Sequence, residues 1–308
     1  MSVEQELANI VPDRETLLAI GVFDGVHAGH RYLLENLNQK AKENGLLSGV
    51  VTFTPHPQSV LHPHIRLPML GDLNDRIKSL RELGIDLIAV LSFTPELAQL
   101  NARDFIVLLK QYLKMDSLMV GPDFALGKGR EANVHFLRSL GQEMAFSVEI
   151  IPYFSVNGEI VSSTAIRQAL SQGDTEQVAN LMGRHFSITA RVISKSKRGR
   201  ILGFPTANLD VSPEQALPSN GVYATITHIN DTHFVSVTNI GTRPTFGDSE
   251  KIVETHLLDY KGDLYDKELK VMFIRRLRDE KPFASAEELS AQINKDIERA
   301  RLVVGELK

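Results

Sequence analysis

Apolar and polar residues in the first half of the chain follow two alternating patterns. Short apolar runs such as Leu17-Leu18-Ala19-Ile20 are typical of buried parallel strands, and the stretches between them place apolar residues on one face of a helix. Strands are predicted at 17–23, 47–53, 85–92, 117–121 and 146–151, and helices at 30–43, 73–83, 102–114 and 131–140. Strands that alternate with helices predict a doubly wound parallel sheet.

Three polar or glycine-rich segments each follow one of these predicted strands. They span residues 24–30, 54–58 and 121–130. Ligands of doubly wound sheets bind beyond the carboxyl ends of the strands, so we expect the three segments to converge on one crevice. The first segment belongs to the stretch from Gly21 to His30, in which a tight glycine turn leads from a strand into a helix start. That arrangement suits a phosphate.

The pattern changes near residues 183–186, where we place a domain boundary. Apolar and polar residues then alternate, as they do in half-exposed strands. Strands are predicted at 186–193, 221–229, 233–239, 252–260 and 269–277, and a helix at 285–304. Short strands that are separated by turn signals predict an antiparallel barrel. The two domains are therefore predicted at 1–185 and 186–308.

Composition narrows the possible classes of function. The 308 residues include no cysteine, which excludes disulfides, thiol nucleophiles and cysteine-ligated metals. The net charge of −4 argues against a protein whose main task is to grip nucleic acid. No apolar run approaches the roughly 20 residues of a membrane span, and the acidic residues 1–6 lack the features of a signal peptide. We therefore expect a cytoplasmic protein that has neither nucleic-acid nor membrane partners.

His27 and His30 lie three residues apart at the predicted helix start and could face the same ligand. Their N–H groups could stabilise the charge that builds on a phosphate during its transfer. Two other interpretations stay open. The histidines could simply pack as partly exposed residues, or they could bind zinc, although no third ligand is evident nearby. The glycine turn that precedes them favours the phosphate interpretation.

A second candidate for phosphate binding comprises Ser163, Thr164 and Arg167. Hydroxyls and free N–H groups at a helix start, with an arginine one turn later on the same face, could bind a polyphosphate. The alternative is an ordinary helix cap beside a solvated arginine, and the stretch taken alone favours it. Considered together with the histidine turn, the stretch favours phosphate binding.

Two further candidates lie in the second half of the chain. Gly199 and Gly203 form a loop, surrounded by basic residues, whose backbone a ligand could approach closely. Thr206 and Asn208 offer oxygen atoms that suit Mg²⁺. Glu254 lies in a predicted strand and could be the general base for a hydroxyl nucleophile. The alternatives are a solvated turn and a surface glutamate, and the pattern by itself favours them.

Together these stretches resemble the bacterial bifunctional riboflavin kinase/FAD synthetase family. The resemblance rests on residues 21–30, 52–57, 120–124 and 162–167 in the first half, and on 202–209, 221–224, 239–246 and 264–265 in the second. Many nucleotidyltransferases share the first of these motifs, whereas Pro-Thr-Ala-Asn at 205–208 is far more specific to flavokinases. The resemblance implies an α/β nucleotidyltransferase-type domain, followed by an antiparallel flavokinase barrel with a C-terminal helix.

The resemblance also implies two phosphate-transfer reactions. In the barrel, ATP would phosphorylate riboflavin to FMN, with Thr206 and Asn208 holding Mg²⁺ and Glu254 activating the hydroxyl. In the first domain, FMN would attack a second ATP to give FAD and pyrophosphate, with His27 and His30 stabilising the transferring phosphate. Nucleotide or phosphate contacts are implied for Gly21, Phe23, Asp24, Gly25, Gly29, Ser163, Thr164, Arg167, Gly203 and Pro205, and flavin contacts for Asp123, Phe124 and Asn239.

One loop departs from the family pattern. The family usually has arginine and phenylalanine where this chain has Ala125 and Leu126, and glycine where it has Ala132. Because this loop should flank the first-domain crevice, the alternative function is a riboflavin kinase with weak or lost FAD synthetase activity. A flavin-binding protein without turnover is disfavoured by the intact candidate residues. The expected partners are riboflavin, FMN and ATP, and the expected assembly is a monomer or a weak homo-oligomer.

Overall fold

The computed structural model describes residues 2–194, 203–244 and 249–307, with the backbone alone at 243–244 and 249–250. The chain forms two compact units, Met1–Ser163 and Thr164–Lys308. The second unit therefore contains the β-barrel and also the two helices that precede the barrel in sequence. The predicted boundary between functional domains, at 185/186, stays a prediction.

The first unit is built on a parallel sheet whose strand order is β3-β2-β1-β4-β7. Its helices are α1 (Val3–Ala8), α2 (Ala28–Glu43), α3 (Pro57–Leu61), α4 (Leu73–Glu82), α5 (Pro95–Ala98), α6 (Ala102–Leu113) and α7 (Val134–Met144). Its strands are β1 (Thr16–Ile20), β2 (Leu47–Thr54), β3 (Leu87–Ser92), β4 (Met115–Val120), β5 (Ala125–Leu126), β6 (Ala132–Asn133), β7 (Ser147–Ile150), β8 (Ser155–Val156) and β9 (Glu159–Ile160). The predicted doubly wound parallel sheet is confirmed.

Both faces of this sheet are covered, which explains the continuous apolar runs. Leu17 and Ala19 of β1 pack in a core with residues of α2 and α4, such as Leu34. Leu18 and Ile20 point to the opposite face, where α6 and α7 supply the buried partners. Successive residues of a strand face opposite sides, so a strand between two helical layers has no polar face.

Strand β1 ends earlier than predicted. The sequence predicts a strand through residue 23, but β1 stops at Ile20 and the backbone of Phe23 is left-handed, with φ 53°. Helix α2 also begins two residues before its predicted start at 30, because His27 caps it. The apolar character of Val22 and Phe23 therefore belongs to a tight turn rather than to the sheet.

The second unit contains a closed antiparallel barrel, as predicted, with strand order β10-β11-β14-β13-β12-β15. Its helices are α8 (Ser163–Gln172, of which Ser163 belongs to the first unit), α9 (Thr175–Met182) and α10 (Ala286–Gly305). Its strands are β10 (Ser187–Ile193), β11 (Ala207–Asp210), β12 (Gly221–Ile229), β13 (Thr232–Pro244), β14 (Ser249–Leu257) and β15 (Glu268–Arg278). Strand β11 is not among the predicted strands.

The barrel interior and the barrel wall are packed differently. Five buried hydroxyls, those of Thr225, Thr227, Ser236, Thr238 and Thr255, hydrogen-bond to one another inside the barrel. On the outside, α10 packs its apolar side chains against β12 and β15. Ser285 caps α10, and its Oγ accepts the N–H of Glu288 at 3.2 Å. No helix in the described part of the chain is long and apolar enough to cross a membrane.

Candidate active sites

A cavity of about 1180 Å³ opens in the first unit. Gly21, Phe53, Phe93, Gly121 and Ile151 line it, and each lies at or just beyond the carboxyl end of a different parallel strand. The segments at 24–30, 54–58 and 121–130 all contribute to the wall. The predicted convergence of these three segments is therefore confirmed, and the cavity lies where ligands bind in this type of sheet.

Most of the predicted first-domain residues line this cavity. They are Gly21, Phe23, His27, Gly29, His30, Asp123, Phe124 and Ser163. Asp24 and Gly25 are described but do not line it, since both are buried within the turn. The ligand contact predicted for each of these residues stays a prediction.

The Asp24 side chain anchors the turn between β1 and α2 through hydrogen bonds to the backbone of a distant segment. Both carboxylate oxygens of Asp24 accept the N–H of Leu70, at 3.0 and 3.1 Å, and one also accepts the N–H of Gly71 at 3.3 Å. Gly25 has φ 72°, and a Cβ at this position would lie 2.8 Å from the Cβ of Leu70. The left-handed conformation favours glycine, and the close approach to Leu70 leaves no room for a side chain. Asp24 and Gly25 thus fix the conformation of the turn from its buried side.

His27 and His30 stack on each other at the start of α2. Their ring centroids are 3.6 Å apart and the planes are inclined by 15°. The Nδ1 of His27 accepts the N–H of His30 at 3.2 Å, which caps the helix. A nitrogen that accepts this bond carries no proton, so in the neutral ring the proton lies on Nε2. The cap therefore makes His27 Nε2–H a hydrogen-bond donor.

The environment of His30 disfavours its charged form. Burial of the ring holds the pKa of His30 well below its usual value, and the neighbouring His27 and Arg76 lower it further. Two stacked imidazolium rings beside a guanidinium would repel one another. The pair therefore suits hydrogen-bond donation to a phosphate from neutral rings better than it suits proton donation from a cation.

Arg76 of α4 is a buried residue that sequence reasoning missed. Its Nη1 donates to Thr52 Oγ1 at 3.1 Å and to the carbonyl of Phe53 at 3.0 Å, whereas its buried Nε has no hydrogen-bond partner within the part of the chain that the structure describes. Thr52 Oγ1 in turn donates to the carbonyl of Val22 at 3.0 Å. Arg76 thus connects α4 to the start of the histidine turn. Its spacing of four residues from the buried Leu80 was the available signal.

The loop that departs from the family pattern forms part of the cavity wall. Ala125 and Leu126 line the cavity from β5, whereas Ala132 is fully buried in the core. Arg130 Nη2 donates to the carbonyl of Asp123 at 2.9 Å, which ties the two ends of the loop together. Two of the three departures therefore face the space in which a ligand would bind, and the third affects packing.

Ser163 lies at the cavity, but its predicted companions belong to the second unit. The Oγ of Ser163 donates to the carbonyl of Asp24 at 3.5 Å. Thr164 follows in the first turn of α8, and Arg167 lies one turn after Ser163. Their participation in the same site as His27 stays a prediction.

In the second unit, three predicted residues form one row across neighbouring strands. Glu254 of β14 is the register partner of Asn208 on β11 and of Asn239 on β13. Register partners in an antiparallel sheet point to the same face. Val253 and Thr255 are buried on either side of Glu254, so the row lies on the outer face of the barrel. Strand register has thus brought together residues that are 46 and 15 positions apart in sequence.

The segment before β11 is fixed to β14. His256 Nδ1 forms a hydrogen bond of 2.7 Å with the carbonyl of Pro205, and its ring meets that of Phe204 edge-on. Gly203 has φ 83°, which favours glycine. Thr206 is exposed and directly precedes β11, two residues before Asn208. The basic residues predicted around this loop and Gly199 fall at 195–202, which lie outside the described residues.

No group of three or more histidines and carboxylates that could hold a metal occurs among the described residues. The predicted Mg²⁺ ligands are different in kind. Thr206 directly precedes β11 and is two residues from Asn208, and Glu254 lies beside Asn208 in the row. A hydroxyl, an amide oxygen and a neighbouring carboxylate suit a hard cation that also binds substrate phosphates.

Comparison with known proteins identifies both units. Residues 10–165 match the family model for FAD synthetase, and residues 182–304 match that for riboflavin kinase. The chain is 37% identical over 296 residues to the "Bifunctional riboflavin kinase/FMN adenylyltransferase" of Escherichia coli (strain K12), covering 96% of this chain and 94% of the relative. A relative of the same name from Pseudomonas fluorescens is 38% identical over 304 residues, covering 98% and 97% of the two chains.

A solved structure shares the whole architecture. It is described as a macrolide-efflux protein from Streptococcus pneumoniae and has a TM-score of 0.88 and 27% identity, covering 96% of each chain. Both units of this chain thus have counterparts in family models, in relatives of nearly equal length and in a solved structure. The chain belongs to the family of bifunctional riboflavin kinase/FMN adenylyltransferases.

Proposed function

We propose that this chain phosphorylates riboflavin with ATP to give FMN and then transfers the adenylyl group of a second ATP to FMN, giving FAD and pyrophosphate. The observation that carries the proposal is the presence of two separate sites in one chain. One is the cavity with the stacked His27 and His30, and the other is the row of Asn208, Glu254 and Asn239. The names of the relatives support both activities.

In the kinase step, the terminal hydroxyl of the ribityl chain attacks the γ-phosphorus of ATP. A bond forms between that oxygen and phosphorus, the bond to the β-phosphate oxygen breaks, and ADP leaves. Glu254 accepts the hydroxyl proton, since its carboxylate lies on the outer face between two amide side chains. Asn208 and Asn239 orient the substrate and its phosphates by hydrogen bonds.

Thr206 and Asn208 would hold Mg²⁺ in this site. Bound there, the ion would neutralise charge on the β- and γ-phosphates of ATP. Asn208 is 5% exposed and therefore has a fixed orientation, whereas Thr206 is exposed at the strand start. The pair thus combines one rigid ligand with one that a nucleotide could reorganise.

In the adenylylation step, a phosphate oxygen of FMN attacks the α-phosphorus of ATP and pyrophosphate leaves. The N–H groups of His27 and His30 donate to the phosphate oxygens on which charge develops. Gly21 and Gly29 line the cavity beside them, where the absence of side chains lets a phosphate approach the backbone. Ser163, with Thr164 and Arg167 on the same helix, would hold the departing phosphates.

Incubating the purified chain with riboflavin, ATP and Mg²⁺, and separating the flavins by chromatography, tests the proposal. We expect FMN to appear first and FAD to follow. FMN that accumulates without FAD would favour the alternative, a riboflavin kinase with weak or lost adenylylation, for which Ala125 and Leu126 in the cavity wall offer a cause. No conversion at all would refute both functions. A cytoplasmic location and a monomer or weak homo-oligomer stay predictions.

A further inference from the structure

A carboxylate that sequence reasoning did not single out lies beside the row of the kinase site. Glu280, two residues beyond the end of β15, accepts a hydrogen bond from Nδ2 of Asn239 at 3.3 Å. Its carboxylate also lies over Gly241, where a Cβ would be 2.5 Å from Glu280 Oε1. Gly241 and Asn239 are alternate residues of β13 and so share the outer face of the barrel. Glu280 therefore reaches the same face as Glu254.

The segment that carries Glu280 is fixed to α10. Arg278 donates to both carboxylate oxygens of the buried Asp296, at 2.8 to 3.1 Å. Asp296 Oδ1 also accepts from Gln292, whose Oε1 accepts from Lys281 at 2.9 Å. Ionic bonds with two parallel contacts fix direction as well as distance. Glu280 thus lies between two residues that are both bound to the helix.

Gly241 provides independent support for a specific place for Glu280. Its φ is not among the positive values found at other glycines, so the backbone conformation does not require glycine. The nearest atoms to a Cβ at this position are all in the Glu280 carboxylate. The space above Gly241 is therefore the space that Glu280 occupies.

The hydrogen bond fixes which end of the Asn239 amide faces a ligand. With Nδ2 directed to Glu280, Oδ1 points away and has no hydrogen-bond partner among the described residues. Asn239 is the register partner of Glu254, and side chains in this relation lie about 5 Å apart at Cβ. Oδ1 is therefore close to the position at which Glu254 would meet the reacting hydroxyl. An acceptor oxygen at this position suits a ligand that carries several hydroxyl groups, each of which can donate a hydrogen bond.

We propose that Glu280 is a positioning residue of the kinase site, which holds the Asn239 carboxamide so that its Oδ1 accepts a hydrogen bond from the ribityl chain of riboflavin. This inference rests on the proposed kinase function. Glu280 itself touches neither the reacting atoms nor the nucleotide. Its loss should therefore weaken riboflavin binding more than it slows the chemical step.

Steady-state kinetics of riboflavin phosphorylation test the proposal in the full chain. Glu280→Ala should raise the KM for riboflavin about 10-fold and change kcat by less than about 3-fold, because one oriented hydrogen bond to substrate is lost. Glu280→Gln retains an acceptor oxygen and should restore a KM within about 3-fold of the original value. Glu298→Ala, which removes an exposed carboxylate from α10, is the matched control and should behave as the unchanged chain does.

Adenylylation of supplied FMN, measured in the same samples, reports on folding and should be unchanged in every variant. A Glu280→Ala variant with an unchanged riboflavin KM would overturn the proposal. So would a Glu280→Gln variant as impaired as Glu280→Ala, because charge rather than orientation would then matter. If the unchanged chain has no kinase activity, the proposed function fails, and that result is distinct from either of these.

A double-mutant cycle that combines Glu280→Ala with Gly241→Ala, with the riboflavin KM as the measured quantity, gives a second test that does not depend on one variant. The new methyl group should displace the Glu280 carboxylate and raise the riboflavin KM about as much as Glu280→Ala does. In the Glu280→Ala background the same change should have no further effect, since nothing remains to be displaced. Additive effects of the two substitutions would contradict the proposal.

Binding of lumiflavin, which has the flavin ring without the ribityl chain, locates the contact. Fluorescence quenching should show weaker riboflavin binding by Glu280→Ala, and unchanged lumiflavin binding. Equal weakening for both ligands would place the Asn239 contact on the ring and would overturn the assignment to the ribityl chain.

Discussion

The two sites of this protein position their functional groups in opposite ways. In the first unit, His27 and His30 depend on an irregular turn with positive φ values at Phe23, Gly25 and Val26. In the second, Asn208, Glu254 and Asn239 occupy extended strands, and the register of the barrel places them side by side. The turn is specified by contacts with other segments, whereas the row is specified by the ladder of backbone bonds.

This difference determines which substitutions each site tolerates. The histidine turn is anchored through Asp24 to residues 70–71 and, through Thr52, to Arg76, so residues remote from the chemistry can move the histidines. The row rests on a barrel whose interior is held by five mutually hydrogen-bonded hydroxyls. Its geometry should therefore survive substitution of any one side chain in the row. The predictions below test this contrast.

Glu254→Gln should have the largest effect. It removes the proposed base but retains the shape of the side chain, so the rate of riboflavin phosphorylation should fall about 10³-fold. Adenylylation of supplied FMN should not change, because the row is not part of the first-unit cavity. Product chromatography with each substrate supplied separately measures both rates. An unchanged kinase rate would remove Glu254 from the mechanism.

His30→Ala should have a slightly smaller effect, confined to the other activity. Loss of one donor to the transferring phosphate should reduce FAD formation from FMN about 10²-fold, with the kinase rate nearly intact. His135→Ala, which removes an exposed histidine from α7, is the matched control. If His30→Ala reduced both rates equally, two separate sites would be contradicted.

Asp24→Ala tests the contacts that hold the histidine turn in place, not the groups that would contact the phosphate. The substitution leaves the buried N–H groups of Leu70 and Gly71 without their carboxylate acceptor, which should lower the free energy of unfolding of the first unit by about 2 kcal/mol. FAD formation should fall about 10-fold as the histidines lose their fixed position. Thermal unfolding and the two activities give the comparison, with the exposed Asp116→Ala as control. Unchanged stability would show that other contacts hold the turn.

The sequence predicted the fold well wherever local pattern and long-range packing agree. All five parallel strands of the main sheet were found because apolar residues cluster in each of them and helical patterns lie between them. Five of the six barrel strands were found from alternation. Strand β11 was missed because its four residues, Ala207–Asp210, are too few to establish an alternating pattern. The end of β1 was misplaced because the apolar Val22 and Phe23 extend its pattern into the turn.

The site residues were predictable only where motif chemistry marks them. The histidine pair and the resemblance to a known family drew attention to both sites. Arg76 and Glu280 were missed because their partners are the carbonyl of Phe53, the hydroxyl of Thr52 and the amide of Asn239, which lie 23, 24 and 41 residues away. Arg76 lies in an ordinary amphipathic helix and Glu280 lies in a charged run at 278–281, so neither residue stands out by its type. Contacts of this kind depend on tertiary structure and leave little trace in local sequence.

Arg76→Met should have the smallest effect and the most specific one. The cation of Arg76 is one of the causes that lower the pKa of His30, after burial and after His27. Without it, the pKa of His30 should rise toward its usual value while burial still holds it below 6.5. His30 becomes protonated as the pH falls through its pKa, and its neutral form is then lost. If the pKa is raised, this protonation takes place at a higher pH. The acid limb of kcat/KM for FMN adenylylation should therefore shift to higher pH.

Two further variants separate the charge of Arg76 from its position. Arg76→Lys keeps the cation and should leave the acid limb near its original pH, although the bonds to Thr52 and Phe53 are weakened. Arg138→Met removes an exposed arginine from α7 and should change nothing. At pH 8, where His30 is neutral in all variants, Arg76→Met should reduce the rate only a few-fold, through the loosened turn. An acid limb that stays in place in Arg76→Met, or moves to lower pH, would show that the cation of Arg76 does not act on the histidine pair. The first-unit site would then depend on remote residues through their hydrogen bonds alone, and not through their charge.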